Sequence, residues 1–370
     1  CRFSSLPRFV APPVSIRLQI MAERPTLERV FVTGGQGFLG AYVLRNLLRE
    51  GAAVALLDVK VDLGILHQIL SAEEIGRVKC FYADIADASA VKDAIFNFRP
   101  TAVIHLAGVQ IPTVRANPAL GVSVNLAGTV NVFEAVRLLA AETKTQPVPV
   151  VYASSAAVLG PSSDYADGAS LPAERDNHKP RTMYGVFKLC NEGMGRIYWQ
   201  DYSVPSVAVR PLTIFGVGRE IGLTSGPTKA VKAAVLGRPF VVEVTGVTGF
   251  HYVDDVARLF IDSAVGVVQQ PGAHVCGVRG HVASYEEFLA EASRSVPEVA
   301  KFASVKPGAP EVPIHGDVDE SPLQVLVGRP QLHRSLADAI ADMASLFKDL
   351  HSRGQLHDRD LGPPPTTSKL

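Results

Sequence analysis

Between residues 28 and 215 the chain alternates short apolar runs with amphipathic stretches. The runs at 30–33, 53–57, 78–82, 102–106, 148–152 and 206–210 are mostly apolar, as short strands are, and 102–106 reads as a buried one. Between them the apolar residues fall at helical spacing. Tyr42, Val43, Leu44, Leu47 and Leu48 mark one helix, and the stretches 63–75, 89–97, 118–142 and the segment from Tyr184 mark others. Strands separated by helices predict right-handed βαβ crossovers, hence an α/β fold with a doubly wound parallel sheet. From about Gly216 the regularity weakens, and Gly, Pro and Thr cluster at 222–228 and 245–249. That change predicts a smaller C-terminal substrate-binding lobe over 216–350, with segments returning to the core. No internal repeat is visible.

The first strand runs directly into TGGQGFLG (33–40), so strand, glycine turn and helix follow in the order that a dinucleotide-binding βα unit requires. One glycine makes the tight turn, another lets backbone N–H groups approach a pyrophosphate, and a third lets the helix pack close to the strand. The spacing is Gly34-x-x-Gly37-x-x-Gly40, and an ordinary βα turn is the competing reading of the glycines alone. The second strand reduces the weight of that alternative, because it ends in Asp58, 18 residues after Gly40. A carboxylate there accepts hydrogen bonds from a ribose diol and repels a 2′-phosphate, which favours NAD over NADP. Lys60, two residues on, works in the opposite direction. Residues 28–215 therefore read mainly as an NAD-binding domain.

Composition narrows the class. Lys plus Arg and Asp plus Glu both number 36, so no basic footprint suggests nucleic acid. The cysteines Cys1, Cys80, Cys190 and Cys276 have no C-x-x-C spacing, which fits a reducing, cytoplasmic setting better than a disulfide framework or a zinc site. No apolar run reaches the ~18 residues that span a membrane. Residues 1–20 carry Arg2, Arg8 and Arg17 without an acidic residue and precede Met21. They read as a leader or non-native extension outside the fold. Residues 351–370, with Pro363, Pro364 and Pro365, read as a disordered tail.

The carboxyl ends of parallel strands are where ligands bind in such sheets. Gly34, Asp58, Asp84, Gly108 and Ser155 all fall there. Ser154-Ser155 ends a strand, where a hydroxyl can hold a substrate oxygen. Tyr184 and Lys188 stand at i and i+4, one helical turn apart. An ammonium beside a phenol favours the phenolate, so Tyr184 is suited to take the proton of an alcohol whose hydride goes to nicotinamide. Ser155 would hold the oxygen, and Lys188 would tune Tyr184 and hold the nicotinamide ribose. Without the glycine turn and the strand-end serine, Y-x-x-x-K reads as an exposed helix face.

These motifs resemble the extended short-chain dehydrogenase/reductases, the NAD-dependent epimerase/dehydratase family. The resemblance runs from about Arg29 to Leu350, with specific motifs to Val256, and implies a Rossmann-type sheet with NAD as cofactor. TGGQGFLG looks like the family's cofactor loop, with Gly34, Gly37, Phe38, Leu39 and Gly40 as its contacts, and Asp58 looks like its ribose acid. Asp84-Ile85 matches the pair that flanks adenine. His105-Leu106-Ala107-Gly108 resembles the H-L-A-A segment bordering the cofactor. Asn125 matches a helix asparagine that organises structure near the site and is taken with the cofactor residues. Ser155, Tyr184 and Lys188 match the catalytic trio, and Tyr184 and Lys188 would also touch the cofactor. Arg210-Pro211, Phe215-Gly216 and Tyr252-Val253-Asp254-Asp255-Val256-Ala257 match later signatures. Pro211 begins a segment near the nicotinamide, and Asp255 reads as a helix cap. The resemblance also implies a homodimer formed by the helices that carry Asn125 and Tyr184.

The departures bear on substrate. The Asp-Glu pair that serves 4,6-dehydratases is replaced by Ala156-Ala157, which cannot transfer protons, so dehydration is not expected. Arginines that grip a nucleotide diphosphate are also missing, with Thr248-Gly249 at one of their positions. Arg219 and Arg329 are the candidates to substitute. Thr224 and Ser225, with Ser154, Ser155 and Arg219, are the candidate contacts for a sugar-like small-molecule substrate, and a plain polar loop is the alternative for 224–227. His105 and His251 read as core histidines. His315, Asp317 and Asp319 lack metal-ligand spacing, so no metal is expected. Tyr165 and Asp167 are placed in a loop over the substrate. The expected activity is oxidation of a secondary hydroxyl of a sugar or sugar nucleotide, epimerase-type. The alternatives are a dehydrogenase of a free sugar, sugar acid or hydroxy acid that releases NADH, and a non-catalytic NAD-sensing module.

Overall fold

A computed structural model describes residues 27–165, 178–330 and 332–362. The 1–20 extension, Asp167 and the tail beyond 362 lie outside the described residues. Seven strands form one parallel sheet: β1 (Arg29–Thr33), β2 (Ala53–Asp58), β3 (Lys79–Tyr82), β4 (Ala102–His105), β5 (Val150–Ala153), β6 (Ser206–Arg210) and β10 (Ala273–Gly277). The order is β10-β6-β5-β4-β1-β2-β3. The reversal between β1 and β4 opens the crevice where ligands of doubly wound sheets bind. Helix Phe38–Arg49 follows β1 and buries Tyr42, Val43, Leu44, Leu47 and Leu48, the face that the apolar spacing picks out.

The seventh strand comes from the C-terminal half, as does helix Val253–Gln269, which packs on helix Phe38–Arg49. The rest of that half forms two small sheets. One has the order β11-β9-β7, from His281–Ser284, Val247–Tyr252 and Thr213–Phe215. The other pairs β12 (Ala303–Val305) with β8 (Phe240–Val242). Asp255 does not cap its helix. Its oxygens accept from Arg334 Nε at 2.8 Å and from the Arg334 backbone N–H at 3.1 Å, so its role is an ion pair between two segments of this half.

Two further expectations change. Residues 118–143 are long and apolar enough to cross a membrane by length and composition. In the fold they pack against the helices Ala88–Phe98 and Met183–Tyr202, burying Val132, Phe133, Val136 and Leu139, which is the behaviour of a core helix. A π-helical turn, Val122–Ala127, interrupts them. The second change concerns residues 351–362, which are placed rather than tail-like. Helix Leu336–Ser352 runs into them, Lys229 Nζ donates to the Asp360 carbonyl at 2.7 Å, and Lys232 Nζ lies 2.5 Å from the Asp360 carboxylate. Arg238 donates to the Gly362 carbonyl at 2.9 Å and pairs with Asp358. Three cations on and just beyond helix Gly226–Val235 thus hold a segment whose composition alone reads as disorder.

Candidate active site

The glycine loop is set by backbone contacts. Gly34 has φ +69°, and a Cβ there would stand 2.7 Å from the Ala107 nitrogen. Gly40 presses on the loop itself, where a Cβ would come 2.8 Å from Gly35 Cα and closer still to the Gly34 carbonyl. Gly37 is the N-cap of helix Phe38–Arg49 and offers no side-chain acceptor, so the first N–H groups of that helix are left for an external anion. Asp58 ends β2 beside this loop, accepting from the backbone N–H of Gln36 at 3.0 Å and of Val59 at 2.9 Å. Burial pushes its carboxyl up, against the pull of those two bonds.

Around these groups runs a cavity of about 870 Å³. Gly34, Gly37, Asp58, Asp84, Ile85, Leu106, Ala107 and Gly108 line it. Uncapped helix N–H groups, a close-approach glycine turn and a strand-end carboxylate in one cavity fit a dinucleotide, with the pyrophosphate on the glycines and the ribose diol at Asp58. Lys60 also lines this cavity, with its ammonium exposed and 3.9 Å from Asp62.

A second cavity of about 250 Å³ shares Gly34, Gly37, Leu106 and Gly108 with the first and holds the predicted chemistry. Phe38, Leu39, Gly40, Ser154, Ser155, Tyr184, Lys188, Pro211, Arg219 and Thr224 line it. Helix Met183–Tyr202 starts at Thr182, whose hydroxyl accepts from the Gly185 N–H at 3.0 Å, and this cap places Tyr184 in the first turn. Ser155 hydrogen-bonds the Tyr184 phenol, and its Oγ accepts from the Ala157 N–H at 3.1 Å.

The charges around the phenol include one that Y-x-x-x-K does not suggest. Burial raises the Tyr184 phenol, and what opposes burial is first the Arg219 charge and then the Ser155 hydrogen bond. Lys188 is turned along the ring, its Nζ 5.4 Å from the Tyr184 ring centre, and donates to the Ala153 carbonyl at 2.6 Å. Burial pushes the Lys188 ammonium down to about 8, against the raising effect of Glu192 one turn further along the helix.

Several predicted residues act elsewhere. Asn125 lines neither cavity. Its amide accepts from the Val109 N–H and donates to the Val109 carbonyl, both at 2.9 Å, so it shapes the loop after β4. The π-helical turn is what carries it there. Ser154 borders the cavity, but its hydroxyl donates to Glu192. Ser225 is absent from the lining and donates to the Gly222 carbonyl at 2.9 Å. Arg329 is bound to Asp262 at 2.7 Å, so it does not serve a substrate phosphate. His105 is a buried histidine between Thr33 and Thr129, at 2.6 and 3.1 Å, and burial pushes it down to about 3. His251 is fully buried and accepts from the Leu212 N–H at 3.0 Å. Tyr165 meets His315 edge-on, with ring centres 5.7 Å apart.

The sequence reading gave no role to four side chains. Gln36 ties the glycine loop to 60–62, donating to the Lys60 carbonyl and accepting from the Asp62 N–H, both at 2.6 Å. Gln110 lines the smaller cavity. Glu192 and Arg210 form a buried pair at 2.7 Å behind Lys188. The i+4 spacing from Lys188 to Glu192 was the available signal for that pair.

Comparison with known proteins agrees with this geometry. Residues 30–267 match the model of the NAD dependent epimerase/dehydratase family. The UDP-glucose 4-epimerase of Mycolicibacterium smegmatis is 27% identical over 335 residues, covering 87% of this chain and 99% of its own length. The mitochondrial L-threonine 3-dehydrogenase of Bos taurus is 26% identical over 287 residues, covering 76% of this chain and 72% of its own. Among solved structures, the Thermus thermophilus UDP-glucose 4-epimerase complex with NAD superposes with a TM-score of 0.69 at 23% identity, covering 86% of this chain and 99% of its own. With its fold, its matched residues and its full-length relatives in agreement, the chain belongs to the NAD-dependent epimerase/dehydratase family of extended short-chain dehydrogenases/reductases and is an enzyme with NAD as its cofactor.

Proposed function

We propose that the protein is a dehydrogenase that oxidises a secondary alcohol of a free sugar, sugar acid or hydroxy acid. Gly34, Gly37, Phe38, Leu39 and Gly40 bind the pyrophosphate and Asp58 the adenosine ribose. Asp84 and Ile85 border the adenine, and the 106–108 backbone and Pro211 border the nicotinamide end. Bound NAD supplies the acceptor for the carbinol hydrogen and its electron pair. Tyr184 Oη takes the hydroxyl proton, Ser155 Oγ holds the same oxygen, and the product is a ketone. Lys188 Nζ orients the ribose and, through its bond to the Ala153 carbonyl, fixes the helix turn that carries Tyr184. Removing a positioned acid/base of this kind typically lowers the rate 10²–10⁴-fold. Tyr184→Phe should therefore lose turnover by about that factor while still binding NAD. Turnover that survives the substitution would end the assignment.

The observation that carries the dehydrogenase reading is the lining of the smaller cavity. Arg219 is the single arginine there among the described residues, and a nucleotide diphosphate calls for several cations. Buried Ala156 and Ala157 supply no acid or base for dehydration. A nucleotide-sugar epimerase is the second reading, favoured by the likeness to UDP-glucose 4-epimerase along nearly the whole of that enzyme. The NAD(H) released on denaturing protein purified without added cofactor separates the two. A value near zero, with ready rebinding, supports exchange at every turnover. A value near one per chain supports an epimerase, which keeps its cofactor. A homodimer belongs to the same proposal, supported by exposed Val122, Leu138, Val186 and Ile197 on the two candidate helices. A monomeric mass by light scattering would refute it.

A further inference from the structure

We infer that Arg219 is the carboxylate-binding residue of the active site, and that the substrate is a 2- or 3-hydroxy acid whose carboxylate lies one or two bonds from the carbon oxidised. This rests on the oxidoreductase reading above and narrows its substrate.

Many arginine side chains elsewhere in the fold have carboxylate partners, and others reach backbone carbonyls, as Arg77 does at Leu48. Arg45 meets Asp254 at 2.6 Å, Arg210 meets Glu192, Arg279 meets Asp317 at 2.6 Å, and Arg334 meets Asp254 and Asp255. Arg219 is different. Its guanidinium makes one long bond, Nη2 to the Thr224 hydroxyl at 3.3 Å, and its Nε is buried with no acceptor. The adjacent carboxylate, Glu220, is turned to His357 at 3.2 Å. A guanidinium cannot shed its proton to escape burial, so a charge held this way calls for an anion from outside the chain. The side chain is also aimed. It leaves a loop in which Gly216, Gly218 and Gly222 hold φ of +145°, +95° and +113°, and its Cζ stands 5.7 Å from the centre of the Phe38 ring. A Cβ on Gly222 would stand 3.0 Å from Arg219 Nη2 and would also strike the Gln110 amide oxygen. Glycine at 222 therefore leaves room for Arg219 and Gln110 to converge.

Position selects the kind of anion. Arg219, Tyr184 and Ser155 line the same cavity of about 250 Å³, and the Arg219 charge is felt by the phenol, so an anion on Arg219 shares that cavity with the reacting hydroxyl. The diphosphate of a hexose nucleotide oxidised at C4 is a ring's width away from the reacting carbon. A carboxylate on the neighbouring or next carbon is not. Bidentate pairing with the guanidinium, with Thr224 and Gln110 as further donors, orients such an acid so that its hydroxyl faces Tyr184 and Ser155. The same charge lowers the cost of forming the phenolate.

The test uses the NAD-loaded full chain with C3–C6 2- and 3-hydroxy acids, their primary amides, and UDP-glucose. Wild type should prefer an acid to its matched amide by about 100-fold in kcat/KM, which is ~2.7 kcal/mol. Arg219→Gln should reduce that ratio to below about 10, and Arg219→Lys should restore part of it. Calorimetric binding of the best acid's keto product should weaken in parallel in Arg219→Gln. A ratio unchanged by Arg219→Gln overturns the inference, as does equal use of acid and amide, or the absence of any carboxylate binding. Turnover of UDP-glucose alone, abolished by Tyr184→Phe, overturns the inference while leaving the oxidoreductase reading standing. NAD-linked turnover that Tyr184→Phe does not affect overturns that reading, and the carboxylate binding arm still decides the role of Arg219.

Discussion

Lys188 gives the sharpest quantitative expectation. Its ammonium is almost wholly buried and is bonded to one carbonyl, and it is pushed down from 10.5 to about 8. At ~1.4 kcal/mol per pKa unit, roughly 3 kcal/mol stands against the charged form in the folded chain without cofactor. Below pH 8 both folded and unfolded chains hold the proton, and the whole penalty acts. Between 8 and 10.5 the folded chain has released the proton while the unfolded chain keeps it, so the unfolded state binds more protons and stability rises with pH. Above 10.5 the penalty is gone.

Lys188→Met keeps a flexible apolar stem and removes the charge. It also removes the bond to Ala153, a loss of roughly 1 kcal/mol. At pH 7 without NAD the variant should therefore be about 2 kcal/mol more stable than wild type. The advantage should shrink through pH 8–10.5 and change sign above it. Urea melts of both proteins at pH 7, 9 and 10.5 measure this, and the difference between the proteins cancels other groups that titrate in the window. A variant less stable than wild type at pH 7, or a difference that does not vary with pH, would refute the burial argument. Turnover should be lost in the same variant, making Lys188 a group kept for chemistry at the expense of stability.

Gly40→Ala should unfold the cofactor loop locally, raising the Kd for NAD at least tenfold by calorimetry, because the added methyl meets backbone that cannot yield. Glu192→Leu removes the carboxylate at 2.7 Å from Arg210 and should cost about 3–5 kcal/mol in chemical denaturation, whereas a neutral effect would mean that the remaining partners of Arg210, His178 among them, suffice. Ending the chain after Gly354 removes His357 and Arg359 from the lining of the larger cavity. It should weaken NAD binding while leaving the remaining fold cooperative, and an unchanged Kd would show that the segment does not bear on the cofactor.

The parts of this molecule that were legible in its sequence are those fixed by local physics. The six strands before residue 211 are short, mostly apolar runs, and the glycine turn declares its conformation because a Cβ there would strike backbone. The Thr182 cap and the i, i+4 spacing set Tyr184 and Lys188 within one helix. What could not be read was set by closure of the chain. The seventh strand, 273–277, completes the sheet only because β6 offers it an edge. Residues 355–362 look like solvent-loving tail until Lys229, Lys232 and Arg238 gather around Asp358 and Asp360. Asn125 matches a motif asparagine that organises structure near the site, but its partner, Val109, and the π turn that carries it have no signature in the sequence.

The same distinction applies to the charges around Tyr184. Sequence proximity nominated Lys188 as the charge that acts on the phenol, since one helical turn brings the two side chains to one face. Burial then makes the nearest carbonyl the better partner for that ammonium, and Ala153, at the end of β5, is within 2.6 Å. A second charge acts on the phenol from Arg219, 35 residues beyond Tyr184, carried by a loop whose three positive-φ glycines have no periodicity to betray them. In this fold the cofactor half of the site is written in contiguous motifs because a sheet edge and a helix start suffice to build it. The proposed substrate half draws on a loop of the C-terminal half that brings Arg219, Leu223 and Thr224 to the lining of the smaller cavity. Substrate selectivity should therefore respond to substitutions at Arg219, Gly222 and Thr224 without change in NAD affinity. A coupled loss of both would mean that the loop also holds the cofactor, and that the two halves cannot be treated separately.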